Sequence, residues 1–196
     1  MHIIEYSGVF GFIKPWTAVR DQKTKSLDYL TTSVLMGIER KLFPEILDNE
    51  NGKLNKIKRH RLSFDAITFQ QEVTKTINRL LNRKDNYYPE ITSIIERGLL
   101  LNPKLQLLFN NLEDVEQART QHICLCRNED VLLPTKVIKL DNINDFDDPI
   151  DYPGFETFEC DNNNENSIYC GLNRYTKRKQ YVEKIIVGVP PHLTYS

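Results

Sequence analysis

Leu99-Leu100-Leu101-Asn102-Pro103-Lys104-Leu105-Gln106-Leu107-Leu108-Phe109 is two apolar runs divided by a turn dipeptide. Asn and Pro between hydrophobic runs mark a tight reversal. The stretch therefore predicts two strands, at 92–101 and 104–110. Downstream, Leu112 to Arg119 reads as a short helix, and strands follow near 122–127 and 134–140.

Upstream, residues 2–7 alternate loosely and are rich in β-formers, so a strand is predicted there. Gly8-Val9-Phe10-Gly11-Phe12-Ile13-Lys14-Pro15-Trp16 reads as a loop needing unusual backbone angles or a close approach. Residues 31–43 predict a helix, capped by Thr31 or Thr32, with Val34, Leu35, Ile38 and Leu42 near one stripe. Phe43-Pro44 closes it. Residues 48–55 are a polar loop, and Leu62 to Ile67 reads as a strand. Over 68–81 the pattern suits a helix through Val73, Ile77, Leu80 and Leu81, and equally a strand through Val73 to Ile77. Residues 82–90 form a candidate protruding loop. The segment 141–166 is rich in Asp and Asn and reads as a long acidic surface insertion. Final strands are expected at 167–172 and 181–189. This order predicts one α+β domain over residues 1–196, an antiparallel sheet of the ferredoxin-like, RNA-recognition-like type.

The chain has 196 residues, 40% hydrophobic, enough for one domain with a real core. No run of about 18 apolar residues occurs, so no membrane span is expected. The first residues lack a basic n-region and apolar run, so a cytoplasmic protein with no secretory signal is expected. Cys124 and Cys126 have no second pair at zinc-site spacing, and Cys160 and Cys170 stand apart, so the four cysteines read as reduced thiols. The chain gives no ground to expect a cofactor or metal.

Net charge is −1, but its distribution is uneven. Residues 53–61 carry five basic side chains and no acid, and residues 174–184 carry Arg174, Lys177, Arg178, Lys179 and Lys184 against Glu183 alone. Residues 141–165 carry nine acids and no base. Such a chain can hold a polyanion locally, or the runs can be ordinary solvated faces. In the first loop, Gly8 and Gly11 could bring the backbone to a phosphate, with Phe10, Phe12 and Trp16 as stacking faces and Lys14 and Arg20 as cations. Packing of the same aromatics in the core is the competing account. Tyr87-Tyr88 beside Arg83 and Lys84 can stack on a base or cover the domain edge. His60 between Arg59 and Arg61, with Lys58, reads as a phosphate contact. Paired with Lys58 or a tyrosine it could instead act in metal-free RNA cleavage. The acids at 141–151 lack the EF-hand pattern.

Four segments together resemble the Cas-five family, the subunit that caps the 5′ end of the guide in type I CRISPR Cascade complexes. They are Ser7-Gly8-Val9-Phe10-Gly11-Phe12-Ile13-Lys14-Pro15, Thr32-Ser33-Val34-Leu35-Met36-Gly37-Ile38, Gly98-Leu99-Leu100-Leu101-Asn102-Pro103-Lys104-Leu105, and Cys124-Leu125-Cys126-Arg127-Asn128-Glu129-Asp130. The last stands where family members often have Leu-Gly-Arg-x-Glu, with Cys126 in place of the glycine. The likeness covers residues 1–45 and, more loosely, 95–140. It implies a ferredoxin-like core and a protruding β-hairpin thumb, for which 82–95 is the first choice and 53–61 the second. It implies a subunit that binds the crRNA 5′ handle beside the backbone subunits, the large PAM-reading subunit and target DNA. In one subtype the family member also cuts the precursor RNA, but the local motif for that activity is not matched here, so a non-catalytic subunit is expected. The expected RNA-binding residues are Gly8, Phe10, Gly11, Phe12, Lys14, Trp16, Arg20, Lys58, Arg59, His60, Arg61, Arg83, Lys84 and Arg127. The readings from other classes are a metal-independent endoribonuclease that processes repeat RNA and a protein-only interaction module.

Overall fold

The computed structural model describes residues 1–15, 23–48, 52–77, 90–162, 164–173 and 176–188. In chain order the elements are β1 (His2–Ser7), β2 (Phe10–Gly11), β3 (Lys23–Lys25), α1 (Thr32–Leu42), β4 (Ile57–Ser63), β5 (Ala66–Ile77), β6 (Glu90–Leu101) and β7 (Lys104–Phe109). Then come α2 (Leu112–Arg119), β8 (Ile123–Cys124), β9 (Val131–Lys139), β10 (Gly154–Cys160), β11 (Ser167–Leu172) and β12 (Lys179–Val187). Eight strands form one sheet in the order β11-β12-β10-β4-β7-β1-β9-β8. All its pairings are antiparallel. The class is α+β, as the sequence predicts.

The strand β7 explains why the sheet sits where it does. Leu105, Leu107 and Phe109 pack with Ile4 and Tyr6 of β1, with Leu35, Ile38 and Leu42 of α1, and with Val115 and Ala118 of α2. Leu108 points the other way and joins Ile3, Leu140, Phe146 and Tyr152 in a second cluster. Both faces of β7 are covered, so apolar residues stand on each, Leu105, Leu107 and Phe109 on one and Leu108 on the other, with buried Gln106 between them. Helix α1 starts where the Thr31 side chain accepts from the Val34 amide, 3.4 Å away, satisfying one amide that the helix itself cannot. Helix α2 has no such cap, but Glu113 and Asp114 in its first turn suit the positive end of the helix. The Tyr6 hydroxyl donates to the Ala118 carbonyl at 2.7 Å and pins α2 to β1.

The turn between β6 and β7 has Asn102 at φ 49°, a left-handed conformation that Asn tolerates. The Asn102 amide donates to the Val9 carbonyl, and its side chain donates to Asp65 at 2.7 Å.

Three sequence expectations change. Residues 62–67 are not one strand: β4 ends at Ser63 and β5 begins at Ala66, because Phe64 turns inward onto Phe155 at a ring distance of 5.8 Å. The ambiguous stretch from 68 resolves as strand through Ile77. The acidic segment is not a bare insertion. It begins with a short helical turn over Ile143–Asp147 that buries Phe146, and it contains β10, an interior strand of the main sheet.

Strands β5 and β6 pair along their full length, from Ala66 opposite Leu101 to Ile77 opposite Glu90. Short β2 and β3 flank only the base of this hairpin, at Leu100–Leu101 and Glu96–Gly98. Among the described residues no other strand pairs with its outer half. The first-choice thumb segment, 82–95, lies outside the described residues up to 89, and its remainder is the start of β6. The second choice, 53–61, is corrected: from Ile57 it is strand β4, inside the sheet.

Candidate nucleic-acid interface

The first turn is packed against its own chain. A Cβ on Gly8 would sit 2.5 Å from the Val131 carbonyl oxygen, and one on Gly11 would sit 2.7 Å from Leu125 Cδ1 and 3.1 Å from Pro103 Cγ. The close approach that these glycines permit is to β9 and to the β6–β7 turn. Phe12 is buried at 2% exposure under the Arg97 guanidinium, and Phe10 is half-buried. Phe12 therefore cannot stack on a base without leaving the core, which corrects that expectation. Lys14 is exposed. Trp16, Arg20, Arg83 and Lys84 lie outside the described residues.

The basic run 53–61 divides in two. Strand β4 pairs with β10 only where Phe155 meets Leu62. Below that point the two strands are joined by side chains. Glu156, 1% exposed, accepts from Arg59 Nε at 2.9 Å and from Arg59 Nη2 at 2.8 Å, and it pairs with Arg61 Nη1. Asp147 accepts from Arg59 at 2.6 Å and Arg61 at 3.2 Å. The Arg61 guanidinium, itself 1% exposed, lies 4.7 Å over the Phe146 ring. Burial, with Arg59 beside it, lowers the Arg61 guanidinium to about 10, so it stays charged at neutral pH.

His60 is 2% exposed, on the opposite face of β4. Its Nε2 accepts from the Thr157 amide at 3.3 Å and lies 3.2 Å from the Thr157 hydroxyl. Burial first, then Arg61 and Arg59, push His60 down to about 3. A buried, neutral imidazole held by Thr157 is poorly placed to donate a proton to RNA. As RNA contacts, His60, Arg61 and most of Arg59 are corrected: they hold the seam between β4 and β10.

Arg127 is likewise engaged. Its guanidinium donates to Asp130 at 2.9 and 2.7 Å and also binds Glu72 on β5. The Asp130 hydrogen bonds raise its pKa, ahead of burial, which lowers it, and of Glu72, which raises it. Asp130 is fully buried. The trio clasps the hairpin to the turn between β8 and β9.

The remaining cations converge. A cavity of about 230 Å³ between the splayed ends of β4 and β10 is lined by Lys53, Lys58 and Arg59, with Glu156, Phe158 and Glu159 opposite. Beside it lies a cavity of about 350 Å³, which shares Lys53 and Glu159 and adds Arg178, Lys179 and Gln180 from the start of β12. Basic segments more than a hundred residues apart in sequence thus line one groove at the end of the sheet. Lys58, Arg178 and Lys179 are exposed. Arg178 and Lys179 are functional candidates that the sequence suggested only as part of a charge run. Gln180, neutral and buried, carried no such signal.

No family model matches this chain, and no curated protein matches it in sequence. Solved structures do match in shape. A chain of a CRISPR RNA-guided surveillance complex is 10% identical with a TM-score of 0.51, over 96% of this chain and 90% of that one. A chain of the type III-B Cmr-beta complex bound to cognate target RNA and AMPPnP is 7% identical with a TM-score of 0.48, over 96% of this chain and 84% of that one. Over nearly its whole length, this chain has a fold similar to that of a chain of a CRISPR RNA-guided surveillance complex.

Proposed function

We propose that this protein is a non-catalytic, RNA-binding subunit of a type I CRISPR Cascade complex, capping the 5′ handle of the crRNA. The observation that carries the reading is the whole-chain fold likeness to a chain of an RNA-guided surveillance complex. The resemblance of four ordered sequence segments to the Cas-five family supports it independently. The groove lined by Lys53, Lys58, Arg178 and Lys179 supplies cations for phosphates. The hairpin β5–β6, which among the described residues pairs with no other strand along its outer half, is the element suited to lie against a backbone subunit. The large PAM-reading subunit and target DNA are the further neighbours, and the complex works in the cytoplasm in antiviral defence.

The test is co-expression with candidate backbone subunits and repeat RNA. The complex should elute as one species with a 260/280 nm absorbance ratio above that of protein alone. Protein eluting free of RNA would refute the reading and favour a protein-only interaction module. Cleavage of the repeat RNA by the purified chain in EDTA would refute the non-catalytic part.

A further inference from the structure

The main sheet has two unlike faces. Helices α1 and α2 pack on one, against Phe155, Val182 and Cys170 among others. The other holds Arg59, Arg61 and Glu156 at the seam, beside the helical turn that buries Phe146. Side chains directly opposite each other on antiparallel strands share a face, so the register carries this second face outward. Glu156 stands opposite Ile185, Phe158 opposite Glu183, and Cys160 opposite Tyr181. Tyr181 in turn stands opposite Tyr169. Phe158 is 39% exposed, Tyr169 38% and Ile185 41%. The Tyr169 and Tyr181 rings lie 5.5 Å apart.

At the seam, this face already holds an arginine. The Arg59 guanidinium lies 5.2 Å from the Phe146 ring and 5.9 Å from the Phe158 ring, and Glu156 and Asp147 accept its N–H groups. Further out, on β12, the same ingredients recur. Glu183 has Phe158 opposite it and Tyr181 and Ile185 two residues away on its own strand. One Glu183 oxygen accepts from the Asn164 side chain at 2.9 Å, and among the described residues no cation pairs with this carboxylate. Burial first, then Glu183, Asp161 and Glu159, push the Cys160 thiol up, so the field over this part of the face is negative. Lys179 is exposed two residues beyond Tyr181, on the side away from Glu183. An RNA phosphate brought onto Phe158 would meet the Glu183 charge. A lysine would pair with the carboxylate but has no plane to lay on the rings. A guanidinium does both, stacking on aromatic rings while donating two parallel N–H bonds to a carboxylate. We infer that this face docks a partner protein through an exposed arginine, its guanidinium paired with Glu183 and stacked on Phe158 and Tyr181. Ile185 then packs along the arginine's methylene stem. The inference rests on the reading as a complex subunit only for the source of that partner.

The test uses the full chain labelled with 15N and a probe peptide, acetyl-Gly-Arg-Gly-amide. Titration should shift the Phe158, Tyr181 and Glu183 amide resonances along one saturating curve. The peptide with lysine in place of arginine should bind at least about threefold more weakly. Glu183→Gln, which keeps an acceptor for Asn164, and Phe158→Leu should each weaken the arginine peptide about threefold, the size expected of exposed pairs. Equal binding of the two peptides, an unchanged affinity in either variant, or no shift at these amides would overturn the inference. So would a hexamer of oligo-uridylate that shifts the same amides at lower concentration than the peptide, which would give the face to RNA. The two readings fail separately. Peptide binding by a chain that elutes free of RNA keeps this face and refutes the RNA-binding reading. An RNA-bound complex whose free chain ignores the peptide overturns this face and leaves the RNA-binding reading intact.

Discussion

Arg61 and Glu156 face each other at the seam of the main sheet, each 1% exposed. They do the work of the backbone ladder that β4 and β10 lack beyond Leu62 and Phe155. Removing one partner from a buried pair leaves the other charged and desolvated, at a cost of about 3–5 kcal/mol. Glu156→Leu should therefore lower stability by about that amount, since it removes the buried carboxylate from Arg61 and Arg59 and leaves them the half-exposed Asp147. Adding Arg61→Met to Glu156→Leu should recover part of the loss. Urea denaturation of the two single variants and the double variant tests this, and additive losses would mean that the pair is not coupled.

His60 makes stability depend on pH. Its folded pKa of about 3 lies below the ordinary 6.5, so between those values the unfolded chain holds the extra proton. Stability then falls as pH falls, by up to about 1.4 kcal/mol per pH unit inside that window. His60→Gln keeps an acceptor for the Thr157 amide and removes the titration. The wild-type urea midpoint should drop from pH 7 to pH 4.5 more steeply than the variant's. Parallel curves would show that His60 does not titrate with folding.

Gly8 separates the two accounts of the first turn. If its missing Cβ serves packing against the Val131 carbonyl, 2.5 Å from that position, Gly8→Ala must push backbone from backbone. Overpacking of this kind costs about 1–3 kcal/mol. Gly11→Ala meets a leucine methyl and a proline ring, which can yield, so its effect should be smaller. Thermal melts should rank the two variants in that order. Loss of RNA affinity in Gly8→Ala with an unchanged melting temperature would restore the phosphate-cradle account.

The sequence was most legible where local signals and burial agree. The Asn102-Pro103 turn, the apolar run Leu105–Phe109 and helix α2 could all be read because each is set by neighbours in the chain. Strand β10 could not, because Glu156 is polar and its burial depends on Arg59 and Arg61, far away in the chain. The same distance hid the fate of the basic run. Spacing shows that Arg59, His60 and Arg61 are adjacent but not that β4 lies inside the sheet, where cations serve Glu156 and Asp147. The aromatic loop misled for a related reason: glycines admit a close approach, and only the fold says to what. In 68–77, exposed Phe69 and Val73 on the hairpin follow no buried stripe, so neither period won.

The groove at the sheet end makes the sharpest prediction about RNA, because its four cations come from two distant segments. Lys53, Lys58, Arg178 and Lys179 all changed to Ala should weaken binding of single-stranded RNA and reduce its salt dependence. For single strands the logarithmic slope carries about 0.7 for each phosphate neutralised, so removing four cations should flatten it by about 3. Lys41, exposed on α1 away from both cavities, supplies the control. Lys41→Ala should shift the slope by less than a single phosphate's share. The Arg59 and Arg61 variants form a second comparison. They should melt earlier without changing the salt slope at temperatures where they remain folded, because their guanidiniums are spent on Glu156 and Asp147. Filter binding across a salt series reads all of these. A quadruple variant with the wild-type slope would move the RNA off this groove and onto the hairpin or the segments around it.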